Sequence, residues 1–172
     1  MKTLAMLTVL LFCGTAMAAP PLQHQDWWTG VATDGSYRAA TTTNADQDGM
    51  GEFCYTTGQR HCEWRLWIAG FSCNQGATQV ILVNSASGSA PVKTKCLVLA
   101  DNSYVFQVQD WSIFEQTLLQ GTEIGIAVPN TESGFRAMHF SLHGAREAAS
   151  YIGGVIGDTT TVADHQRRDT NL

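Results

Sequence analysis

Residues 44–55 read Asn-Ala-Asp-Gln-Asp-Gly-Met-Gly-Glu-Phe-Cys-Tyr, which puts Asn44, Asp46, Asp48 and Gly49 at the first, third, fifth and sixth places of a calcium loop. Such a loop takes oxygen ligands at alternate positions, a glycine for its sharp bend, and a bidentate glutamate at the twelfth place. Tyr55 stands at the twelfth place and brings no carboxylate, while Glu52 stands at the ninth, where a ligand often acts through water. The flanks, Thr41-Thr42-Thr43 and Phe53-Cys54-Tyr55, favour strands over the helices of an EF-hand. The preferred expectation is an Asx-type turn in which Asp48-Gly49 reverses the chain. A weak extracellular calcium site on Asn44, Asp46, Asp48 and Glu52 is the alternative.

Other groups able to do chemistry are few. His139 and His143 would share one patch on a helix, but on a strand they stand about 13 Å apart at ~3.4 Å per residue. One metal reaches each nitrogen at roughly 2 Å, so the strand reading forbids shared ligation. Gly70-Phe71-Ser72-Cys73-Asn74 begins like a nucleophile elbow and lacks its closing glycine. His61 precedes Cys62, and neighbours on a strand face opposite ways, which argues against a thiolate–imidazole pair. Carboxylates for glycoside hydrolysis are distant in sequence and leave no local signature. No glycine-rich phosphate cradle with lysine occurs.

Four cysteines follow residue 18: Cys54, Cys62, Cys73 and Cys96. Their spacing contains no C-x2-C knuckle or redox motif, so two disulfides are expected instead of zinc or thiol chemistry. Three pairings are open; Cys54–Cys62, closing a short loop, with Cys73–Cys96 is favoured. Export supplies the oxidising surroundings. Lys2, the apolar run Leu4–Phe12 and Ala16-Met17-Ala18 form the charged start, core and cleavage site of a signal peptide over 1–18. Phe12 stands where a lipoprotein signal on Cys13 would want a small residue.

The remaining chain suits one β-rich domain over 19–154, followed by a disordered polar tail over 155–172. The formal net charge is −5 and basic residues are scattered, so no nucleic-acid partner is expected. No transmembrane segment is expected once the signal is removed.

The elements that must position these groups are short. Residues 19–26 read as an exposed lead-in. Tyr37–Thr43, Phe53–Thr56, Glu63–Ile68, Val92–Leu99, Tyr104–Gln109 and Glu123–Val128 read as strands, and Trp64, Leu66 and Ile68 share an apolar face. Val80–Val83 is continuously apolar, as in a buried central strand, and Asn84–Pro91 reads as a turn. Asp110 is placed to cap a helix carrying Trp111, Phe114 and Leu118 and ended by Gly121. Alternation of Met138, Phe140 and Leu142 predicts a strand over 135–143, and Gly144 separates it from a helix over 145–152. The predicted fold class is mainly β: an antiparallel β-sandwich-like domain with one or two short helices. Trp64 fits the core, whereas Trp27, Trp28 and Trp67 are candidates for a surface binding patch.

The chain end Phe140-Ser141-Leu142-His143-Gly144-Ala145, with Ala148 beyond it, resembles the closing pattern of the invasion-associated locus B family of small exported bacterial proteins. Ala145 replaces that family's aromatic, and the cysteine spacing differs. The resemblance spans about residues 105–152 and implies an exported, β-sandwich-like protein with an envelope-associated role. It transfers no catalytic residue. The resulting expectation is an exported, non-enzymatic protein, periplasmic or secreted, stabilised by two disulfides and binding a protein or envelope component. No cofactor is expected. A calcium-stabilised module and a hydrolase with dispersed catalytic residues are the alternatives.

Overall fold

The computed structural model describes residues 20–58, 61–118, 121–130 and 134–153. The predicted signal peptide and polar tail lie outside these residues. Twelve elements follow in order: β1 (Leu22–His24), β2 (Trp27–Val31), β3 (Tyr37–Thr43), β4 (Gly49–Tyr55), β5 (His61–Trp67), β6 (Thr78–Ser85), β7 (Gly88–Val98), β8 (Tyr104–Val108), α1 (Trp111–Leu118), β9 (Glu123–Pro129), β10 (Phe135–Ser141) and α2 (Ala145–Ile152). The strands form one ten-stranded sheet in the order β1-β2-β3-β4-β5-β8-β7-β6-β9-β10. All its pairings are antiparallel. This is the mainly antiparallel fold with two short helices that the patterning predicts, built as a single curled sheet.

Side-chain alternation along each strand selects the inner face. Met50, Cys54, Trp64, Leu66, Ile81, Val83, Val92, Cys96, Phe106, Ile124, Ile126, Met138 and Phe140 share one core, to which α1 adds Phe114 and Leu118 and α2 adds Ala148, Ala149 and Ile152. Both expected disulfides are present, Cys54–Cys62 between directly opposed residues of β4 and β5 and Cys73–Cys96 between a loop and β7.

The end strands of the sheet, β1 and β10, leave ladder groups that need partners. Near the end of β10 the chain is tied to the other edge through backbone and side-chain bonds. Asp26 N–H donates to the His143 carbonyl at 3.2 Å, and the Trp27 indole donates to the Ser141 carbonyl at 2.9 Å. Gly144 then starts the turn into α2 at φ +85°, and a Cβ there would stand 1.9 Å from the His24 carbonyl oxygen. Glycine is required on both counts, backbone angle and close approach. The break between strand and helix at this residue therefore has a tertiary as well as a local cause.

Five expectations need correction. The lead-in contains a strand, β1, because its backbone pairs with β2. The loop after β3 is shorter than predicted, since β4 begins at Gly49. The apolar run in β6 is not buried on both faces: Ile81 and Val83 are fully buried, whereas Val80 and Leu82 are 50% and 47% exposed. Among the described residues no element covers the outer face there, so the run follows the period of a one-sided strand. The Asn84–Pro91 segment is mostly strand, with the reversal confined to the residues between Ser85 and Gly88. Asp110 stands at the start of α1, but its carboxylate accepts the Lys93 backbone N–H at 2.7 Å and so ties the helix to β7.

Candidate functional site

Strand register brings an aromatic and charged set together on the outer face of β2–β5. Trp28 lies opposite Thr41, Thr41 opposite Gly51, Gly51 opposite Arg65, and Arg65 opposite Gln107. One step along, Ala39, Phe53 and Glu63 form a parallel row, and beyond it stand Tyr37, Tyr55 and His61. On the other side Thr43, Gly49 and Trp67 align. The Trp67 ring leans over β4, since a Cβ on Gly49 would fall 1.9 Å from the indole. Thr41, Gly49 and Gly51 thus form a low shelf between Trp67 and the 45% exposed Trp28. At ~4.8 Å between neighbouring strands, Trp28 and Arg65 stand about 14 Å apart.

The polar groups on this face are organised around Glu63, which is 6% exposed. Arg65, Tyr55 and Gln107 all bond its carboxylate. Arg65 also donates to the Tyr55 hydroxyl and lies 5.0 Å from the Phe53 ring centre and 5.7 Å from that of Tyr55. Burial, followed by the Glu63 charge, raises the Tyr55 phenol above its ordinary range and keeps it a neutral donor. His61 stacks on Tyr55 at 4.8 Å. The guanidinium and its aromatic partners are therefore held in place before any ligand arrives, which lowers the ordering cost of binding.

The predicted tryptophans do not form one patch. Trp27 and Trp28 alternate to opposite faces of β2. Trp27 is fully buried, edge-on to Trp64 at 6.1 Å, so its expected surface role gives way to packing. Trp28 and Trp67 remain on the outer face. Arg65, Phe53, Tyr37 and Tyr55 were not singled out by the sequence. Alternation along β4 and β5 could have marked Phe53 and Arg65 as facing away from Trp64, but the strand partners were unknown.

In the 44–48 turn, the Asn44 side-chain carbonyl accepts the backbone N–H groups of Asp46 and Asp48, each at 3.0 Å. Asp48 is fully buried, and its carboxylate accepts from Ala69 N–H at 2.9 Å and Arg136 at 2.7 Å. Glu52 points the other way, into the core. Its carboxylate lies within 4.8 Å of the sulfurs of Cys54 and Cys62. Those sulfurs are bonded to each other and are not thiolate ligands. His139 pairs with Glu123 at 2.7 Å and, on β10, does not share a helical face with His143.

A second feature lies beneath this face. Glu115 of α1, only 4% exposed, is buried in the core near Glu52 and the Trp64 indole. Its pKa is pushed up to about 7, first by burial and next by the Glu52 charge.

Fold and site together define a disulfide-bonded antiparallel β protein with a preformed aromatic face. Among solved structures, the chain is similar to the crystal structure of invasion-associated protein B from Bartonella henselae, with a TM-score of 0.54 and 11% identity over 78% of this chain and 96% of that one. At this identity the likeness is one of fold. No family profile matches the sequence. No curated protein matches it either. Among the described residues no helix is long and apolar enough to cross a membrane.

Proposed function

We propose that this is an exported, non-enzymatic binding protein of the bacterial envelope, with the outer face of β2–β5 as its contact surface. The observation that carries this reading is the exposed Trp28 across the Thr41–Gly51 shelf from the fixed Arg65 and Trp67. Rigid aromatic rings beside a guanidinium supply large contact area at low entropic cost, the composition of binding hot spots. Two disulfides accord with an oxidising compartment outside the cytoplasm. The fold-level likeness to invasion-associated protein B agrees with the resemblance at the chain end and supports an envelope-associated role.

The test is sedimentation of the purified mature chain with isolated bacterial envelope fractions. Trp28→Ala is expected to reduce retention at least about tenfold, as expected of a hot-spot aromatic. Thr41→Arg, which obstructs the shelf, is expected to do the same, and neither change should alter the melting temperature by more than a few degrees. Equal retention of the wild type and both variants would overturn the assignment of this face.

A further inference from the structure

Burying an ionised carboxylate is costly, so an acid in a core is expected to stay protonated or to hold a partner. This core receives two, Glu52 from β4 and Glu115 from α1. The groups facing Glu115 come from every element packed on the helix. β6 and β7 turn Ile81, Val83, Val92, Thr94 and the bridged Cys96 inward, none of which titrates, while Lys93 and Lys95 point to solvent. β5 offers the Trp64 indole, whose N–H meets the Glu115 carboxylate without good alignment and, as the smallest of the three influences, favours the charged form. β4 offers Glu52, whose charge opposes a second negative charge at Glu115. On α1 itself Glu115 is the only ionisable side chain; Asp110, just before it, binds the Lys93 backbone.

We propose that α1 is a proton-gated cover of the core, seated on β6 and β7 while Glu115 carries its proton and loosened when that proton is lost. The helix is suited to this. It is eight residues long, is joined to the sheet by packing and, at its start, by the Asp110–Lys93 bond, and seats Phe114 against Trp64 at 5.4 Å. Short elements of this kind open locally at less cost than the sheet they cover.

The direction follows from linkage. The Glu115 carboxyl has an ordinary value of 4.5 when exposed and about 7 in the folded chain. A raised acid stabilises the fold fully below the lower value and loses that contribution as pH rises through the window to the upper one. Each unit of pH within it lowers the folding equilibrium by at most about tenfold. Loosening of α1 is therefore expected toward neutral and alkaline pH.

Hydrogen-exchange mass spectrometry of the full mature chain at pH 5, 6, 7 and 8, corrected for intrinsic exchange, tests this. Protection over 111–118 is expected to fall several-fold per unit in the wild type, relative to β4 and β5. Glu115→Gln, neutral and of the same shape, should flatten that dependence. Glu52→Gln removes the opposing negative charge, which lowers the Glu115 value and so moves the loss of protection to lower pH.

 With Glu52 neutral, the window over which protection falls therefore closes at a lower pH than in the wild type, and the total loss is smaller. That downward displacement is the expected result for Glu52→Gln. Identical pH dependence of 111–118 in the wild type and Glu115→Gln would overturn the proposal, as would wild-type protection that does not change between pH 5 and 8. If Glu115→Gln fails to fold, a Glu52→Gln profile unchanged from wild type overturns it equally.

Discussion

Replacing Arg136 with alanine removes the cation that reaches from β10 to the turn before β4. Asp48 would keep its Ala69 N–H bond but lose Arg136, and its carboxylate is fully buried. Arg136 also donates to the Ala69 carbonyl at 2.8 Å, so one guanidinium joins the turn, the chain after β5 and the last strand. Breaking a wholly buried pair by removing one partner costs about 3–5 kcal/mol. The Arg136 side chain is 35% exposed, so water reaches the vacated space and moderates the loss to about 2–3 kcal/mol. In a domain of this size that lowers the melting temperature by about 4–12 °C. Thermal and urea denaturation of Arg136→Ala, Asp48→Asn and the double variant form the assay. If the orphaned charge is the cause, Asp48→Asn should recover about 1 kcal/mol or more in the Arg136→Ala background. A loss below about 0.5 kcal/mol in Arg136→Ala, or no recovery in the double variant, would refute the idea that this pair ties the two parts of the sheet together.

Two further outcomes follow from the same geometry. Removing Cys73–Cys96, which closes a separation of 23 residues, should cost about 3.4 kcal/mol, and removing Cys54–Cys62, which closes 8, about 2.5 kcal/mol; denaturation of the two double-alanine variants checks the order. The 44–48 turn is held by its own bonds, with Asp48 engaged by Arg136, so millimolar calcium is expected to leave the melting temperature unchanged; a saturable rise would place the ion at Asn44 and Asp46.

Much of the architecture was legible locally. Alternation in Glu63–Ile68 picked out Trp64 and Leu66 as core residues, and both are buried. The strand over Phe135–Ser141, the break at Gly144 and the helix over Ala145–Ile152 were readable from a change of period around one glycine. The two cysteine pairs were favoured among three possible pairings because a chain with few thiols and no metal spacing has a short list of options, and both are present. The candidate face was legible only in part, through Trp28 and Trp67.

Local pattern carries the period of an element but not the identity of its neighbours. Trp27 and Trp28 are equivalent as sequence; only the docking of β2 against β3 and the chain end decides that Trp27 is buried and Trp28 exposed. Val80 and Leu82 look like core residues until the sheet leaves their face uncovered. Arg136 reaches Asp48 across 88 residues, and Glu115 meets Glu52 across 63, separations at which no periodicity carries information. The sequence by itself determined most of the strands and the reversal at Gly144, because those depend on backbone preference and spacing. The tertiary structure decided which charges are buried and which of Trp27 and Trp28 faces solvent, because burial is a property of the assembled sheet and not of any segment within it.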